Sequence, residues 1–195
     1  MKKQILIGTL LFQCAGFAIA AENSSEIEKQ YLEESQKIAL EFMQTLGKTL
    51  KTQIESGGIE SAIGVCKKVA PAMAERYSNE VRTVKRVSLK PRNKIQGTPD
   101  EFERKILVSF NQSRVDGQST AKMEVSSLDD TDSGKLFRYM KAIPTQEMCL
   151  KCHGAEKDIS PNLKKLIMAE YPNDLATGYS LGEIRGAISV KYKLK

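Results

Sequence analysis

Two thiols and an imidazole fall within five consecutive residues, Cys149-Leu150-Lys151-Cys152-His153, and that imidazole is the only one in the 195-residue chain. Any fold must present these three groups from one short segment. The spacing is the attachment pattern of c-type haem. On a turn of helix, thiols three residues apart each add to one porphyrin vinyl group, and the next residue sets its imidazole beneath the iron. Two other chemistries use the same residue types. A CxxC pair serves as a redox dithiol in thioredoxin-like proteins, on a helix that follows a strand of a βαβ unit. The flanking pattern here is not βαβ. Zinc held by Cys66, Cys149, Cys152 and His153 would have three thiolates and one imidazole, a sensible donor set. Adjacent Cys and His, however, rarely ligate one tetrahedral ion together. One covalent haem c per chain is therefore the expected cofactor.

Haem attachment needs reduced thiols outside the cytoplasm, and the N-terminus agrees. Lys2 and Lys3 precede an apolar run from Ile5 to Ala20, and Ala18-Ile19-Ala20 offers small side chains to a signal peptidase. Residues 1–20 read as a signal peptide cleaved before Ala21, which directs the product to the periplasm. Membrane contact is then expected only through the uncleaved leader. Cys14 follows Gln13, a poor residue to precede a lipidated cysteine. Of the 4 cysteines, Cys66, Cys149 and Cys152 survive cleavage, and a disulfide framework would leave one of them over. The formal charge is +6, lowered by loss of Lys2 and Lys3, and the basic residues are spread along the chain. No basic block is interleaved with aromatics, so a nucleic-acid partner is not expected.

Apolar spacing organises the rest. Residues 21–58 form an N-terminal helical region in which Ile27, Tyr31, Ile38, Phe42, Leu46 and Leu50 share a face, stopped by Gly57-Gly58. A second helix is expected from Ile59 to Tyr77, with Ala62, Cys66, Ala70 and Met73 turned inward. Glu80 to Leu89 reads as a strand and Lys90 to Gly97 as a loop. Thr98 looks like the cap of a helix that has Pro99 in its first turn and carries Phe102, Ile106 and Phe110 inward. Ala121–Leu128 and Lys135–Ile143 are expected strands joined by a polar turn. Pro161–Glu170 is a short helix, and Ile188, Val190, Tyr192 and Leu194 alternate as a last strand. Residues 59–195 thus form an α+β domain: an antiparallel sheet with flanking helices.

With a single histidine, a second histidine ligand from the same chain is excluded. The opposite face of the iron is open to three readings: Cys66, a vacancy, or one of Met43, Met73, Met123, Met140, Met148 and Met168. Methionine raises the potential, but methionines are usually core fillers.

Several segments resemble the PAS-like c-type haem domain family. They are Gly64-Val65-Cys66 through Ala70-Pro71, Lys85–Asn93, Thr98–Glu103, Met148–Gly154, Tyr171–Asp174, Ala176–Tyr179 and Gly182–Val190. The resemblance covers most of residues 60–190 in order. It implies a PAS-like fold, attachment through Cys149 and Cys152, and axial ligation by His153 and Cys66. Arg86, Arg92 and Arg185 lie in the matched segments and suit haem propionates, since guanidinium pairs carboxylate bidentately. The alternative for each is a surface or backbone contact. Ala142 stands where the family has proline, and Lys94-Ile95-Gln96-Gly97 replaces a more proline-rich loop. Members of the family occur alone in the periplasm or as sensory parts of kinases and chemoreceptors.

Two functions follow as expectations. The first is electron transfer with a periplasmic redox partner. The second is a redox or gas sensor that takes a small diatomic ligand and acts through a separate partner. An enzyme is not expected, because no second histidine exists to serve as a distal acid–base group.

Overall fold

The computed structural model describes residues 15–132 and 134–194. The expected leader falls largely on residues 1–14, outside the described residues. A first helix, α1, spans Ala15–Gly64 and is broken at Gly58, whose φ of 77° is open to glycine but strained for other residues. Ser61 secures the break, its Oγ donating to the carbonyls of Gly58 at 2.6 Å and Gln53 at 2.9 Å. The expected stop is thus a kink. Beyond it the helix runs into a π-helical turn, Val65–Val69, and then α2, Ala70–Arg76.

Four strands, β1 (Arg82–Val87), β2 (Glu124–Thr131), β3 (Gly134–Pro144) and β4 (Ile184–Leu194), form one antiparallel sheet in the order β1-β4-β3-β2. On one face α1 lays Ile38, Ala39 and Phe42 over Phe137, Tyr139, Ile188 and Val190. Spacings of one and four on the helix meet the period-two row of the strands, so both patterns bury the same core. The opposite face is covered by a helix that also carries a buried Glu103. Its Leu107 and Phe110 pack on Met123, Met140, Ala142 and Ala187. The inner half of β4 is therefore buried on both faces, and its alternation holds only towards Leu194.

Three elements differ locally from what their sequence suggests. The expected loop Lys90–Gly97 ends in a short helix, α3 (Lys94–Gly97), capped by the Asn93 side chain. The next helix, α4, spans Glu101–Val115 and is capped by Asp100 rather than Thr98. The Asp100 carboxylate accepts from the Glu103 amide while Glu103 Oε2 accepts from the Asp100 amide, each at 2.8 Å. Thr98 is used instead on α3, donating to the Lys94 carbonyl at 2.6 Å, so Pro99 stands before the helix. The expected strand start at Ala121 falls in a 3₁₀ turn, Thr120–Lys122, and pairing begins at Glu124.

Two further helices complete the chain, α5 (Glu147–His153) and α6 (Pro161–Glu170). Ile63 of α1 packs with Ile159, Leu163, Ile167 and Tyr171, which seats α6 beside the π turn. Among the described residues no helix is long and apolar enough to cross a membrane.

Candidate functional site

A cavity of about 530 Å³ opens between the π turn, β1 and the end of α5, with Cys66, Arg86, Arg92, His153 and Arg185 in its wall. That volume lies within the ~300–1,000 Å³ typical of cofactor sites. Five of the seven sequence-predicted site residues thus meet at one space. The other two, Cys149 and Cys152, lie on α5 with His153 and line none of the wall. Among the described residues no methionine lines it either. Cys66 reaches the wall from the π turn, a local widening that inserts one residue into the helical ladder and is frequent at functional sites.

His153 is prepared as a neutral ligand. Its Nδ1 lies 2.6 Å from the Ala176 carbonyl oxygen. A carbonyl only accepts, so Nδ1 carries the proton and Nε2 keeps its lone pair. Burial, with the charges of Arg185 and Arg92, holds the imidazole pKa well below its ordinary 6.5. The backbone fixes the ring's position: Tyr179 N–H donates to the His153 carbonyl at 2.9 Å and Gly178 N–H to that of Gly154 at 2.8 Å. The Tyr179 ring stands at 90° to the imidazole, with centroids 6.4 Å apart. Gly154 allows α5 to end tightly, since a Cβ there would meet the Leu150 carbonyl oxygen at 2.5 Å.

The three arginines differ. Arg92 is buried, donating through Nε to Asp174 at 3.1 Å and through Nη2 to the Cys152 carbonyl at 2.6 Å. Arg185 Nη1 donates to Ser88 Oγ at 3.2 Å and to the Lys90 carbonyl at 3.4 Å. Both therefore make the backbone contacts weighed as the alternative. Each also keeps one buried donor without a partner among the described residues, Arg92 Nη1 and Arg185 Nε. Buried donors of this kind are costly, which fits an anionic group entering the cavity beside them. Burial brings the Arg185 pKa down to about 10. Arg86 lines the wall from β1.

Cys66, Cys149 and Cys152 are free thiols. Burial pushes the Cys152 thiol up to about 11, against the lowering charge of Arg92. Among the described residues no three His, Cys, Asp or Glu side chains gather closely enough to hold a metal ion.

Sequence reasoning assigned no role to Tyr171, Asp174, Ala176 or Tyr179. They act through a backbone carbonyl, a distant ion pair or ring packing, and none of these leaves a spacing to read. Their one signal was membership of the segments that carry the family resemblance.

The family model described as Tll0287-like, Tll0287, matches residues 22–192. No curated protein sequence matches the chain. The crystal structure of the cyanobacterial haem protein Tll0287 superposes with a TM-score of 0.61 at 21% identity, covering 85% of this chain and 97% of that one. At that identity the likeness is one of fold, and it agrees with the α+β architecture read from the sequence.

Proposed function

The chain belongs to the Tll0287-like family, and on that premise we propose that it is a periplasmic cytochrome holding one haem c between Cys66 and His153. The observation that carries the reading is the shared cavity: a thiol on a π turn and an imidazole with Nε2 free stand in one wall of about 530 Å³. Cys149 and Cys152 are the attachment thiols, placed on the helix that presents His153. Arg92 Nη1 and Arg185 Nε are the donors for propionates, with Arg86 beside them. Bound haem would supply one-electron chemistry at a low potential, because an anionic sulfur ligand favours ferric iron. The protein's part is to hold the imidazole neutral, keep its orientation through Ala176 and Tyr179, and neutralise the propionates.

Electron transfer to a periplasmic redox partner is the function this arrangement supports best. Sensing is the second reading, and the π turn favours it. A π turn carries one residue more than an α-helical turn, and drawing that residue out would give Cys66 a second position. In that case the π turn would let Cys66 move away when its sulfur is no longer held, the space beside His153 would admit a diatomic ligand, and the shift would reach a partner through α2. Ferric, ferrous and ferrous-plus-CO spectra of the haem-loaded protein test the choice. Carbon monoxide excluded in the ferrous state supports a permanently six-coordinate carrier. Binding after reduction supports the sensor.

A further inference from the structure

The Ala176 carbonyl that holds the His153 ring is itself held in place by its neighbours. Ala176 is fully buried, and its own amide donates to Asp174 Oδ1 at 2.8 Å. A bond of this kind, from a backbone amide to the side chain two positions earlier, closes an Asx turn. The second Asp174 oxygen, Oδ2, accepts from Arg92 Nε at 3.1 Å and Nη2 at 3.0 Å. The same Nη2 lies 3.4 Å from the Ala176 carbonyl oxygen, which has two lone pairs and can serve both Arg92 and His153. The flanking backbone is tied as well. Leu175 N–H donates to the Pro91 carbonyl at 3.2 Å, and Asp174 N–H to the Tyr171 carbonyl at 3.0 Å. With its side chain only 9% exposed, Asp174 works where few waters could replace it.

We propose that Asp174 is a positioning residue for His153, using the Ala176 amide to aim the Ala176 carbonyl at Nδ1. The inference rests on His153 being the axial ligand proposed above, and it does not depend on Cys66. A hydrogen bond from the ring N–H fixes the orientation of a ligating imidazole and strengthens it as a donor. Without the Asp174 acceptor the buried Ala176 amide is unpaired, and the turn must shift to find it another partner. The carbonyl then moves off Nδ1. The ring is left free to rotate and donates less to iron, which favours the ferrous state.

The test compares two haem-loaded double variants, Arg92→Met with Asp174→Asn and Arg92→Met with Asp174→Leu. Both lose the ion pair, so its structural weight cancels between them. Only the asparagine keeps an oxygen for the Ala176 amide. By electron paramagnetic resonance the asparagine variant should give one narrow ferric low-spin set. The leucine variant should give broadened or doubled lines and a higher midpoint potential. Identical lines and potentials would show that no acceptor is needed at this position, overturning the inference. A potential that differs while the lines coincide puts the effect outside the ring's orientation, which also overturns it. Arg92→Met with Asp174→Ala removes the acceptor without adding bulk, and it replaces the leucine variant if that one does not fold. It should show the broadened lines, and lines like those of the asparagine variant would overturn the inference. A parent that carries no haem contradicts the proposed function itself, and this inference falls with it.

Discussion

Arg92 Nη2 donates to the Cys152 carbonyl at 2.6 Å and pairs with the Asp174 carboxylate at 3.0 Å, tying the attachment helix to the segment that orients His153. Asp174 in turn accepts the Ala176 amide at 2.8 Å, and the Ala176 carbonyl holds the His153 ring. One buried ion pair therefore supports both the residue before the imidazole and the imidazole's own anchor.

Removing one partner of that pair strands a buried charge. Asp174→Ala should destabilise the protein by about 3–5 kcal/mol, read by urea unfolding. Replacing both partners, as Arg92→Met with Asp174→Leu, should cost clearly less than the single change, because no charge is then left unpaired. Equal losses in the single and double variants would show that the pair has no special weight.

Asp100 makes stability depend on acid. Burial alone would raise its pKa, but the Glu103 amide, Lys191 and Arg138 outweigh it and hold the carboxyl below its ordinary 3.8. A depressed folded-state pKa gives stability that is present above the unfolded value and is lost as pH falls through the folded one. Asp100→Ala should cost about 1 kcal/mol at neutral pH through loss of the α4 cap. Below about pH 4 the gap between parent and variant should narrow, since the parent is then losing the same interactions. A gap that stays constant down to pH 2 contradicts this.

Gly154→Ala tests the close approach at the end of α5. The new Cβ would meet the Leu150 carbonyl oxygen at 2.5 Å, and backbone cannot move aside as a flexible side chain can. The end of the helix must shift, and His153 is its last residue. The variant should show at least a several-fold lower yield of haem-loaded protein, by the ratio of Soret to protein absorbance, and a stability loss of about 1–3 kcal/mol. Full loading with unchanged spectra would show that α5 tolerates the displacement.

Arg185, like Arg92, is a buried cation of the cavity wall with a donor that has no partner among the described residues. Arg185→Gln removes a positive charge next to the proposed haem, which favours the ferric state. The midpoint potential should fall, and fall further than for Arg86→Gln, because Arg86 is the more solvent-exposed of the two. Equal shifts would mean that burial does not distinguish the two arginines.

The parts of this molecule legible in its sequence are those with a local period. The shared face of Ile188, Val190 and Tyr192 and the bounds Pro161–Glu170 both match the structure. Cys66 was placed on the inward face by its spacing to Ala62, Ala70 and Met73. The π turn beneath it was not legible, because one extra residue in a ladder barely alters the apolar spacing over a single turn. The cap of α4 was misread because Thr98 and Asp100 both suit a cap, and only the reciprocal bond with Glu103 decides between them. The residues around His153 come from a segment more than twenty positions downstream, joined by backbone hydrogen bonds that no side-chain pattern announces.

The most direct test of the account is to mature the full chain with c-haem assembly machinery and compare denatured samples of the parent, Cys149→Ala with Cys152→Ala, and Cys66→Ala. The parent should retain haem through denaturation, and the double variant should lose it. The Cys66→Ala protein should keep the haem but show a changed native ferric spectrum. A parent that carries no covalent haem, or a Cys66→Ala ferric spectrum identical to the parent's, would contradict the placement of haem between Cys66 and His153.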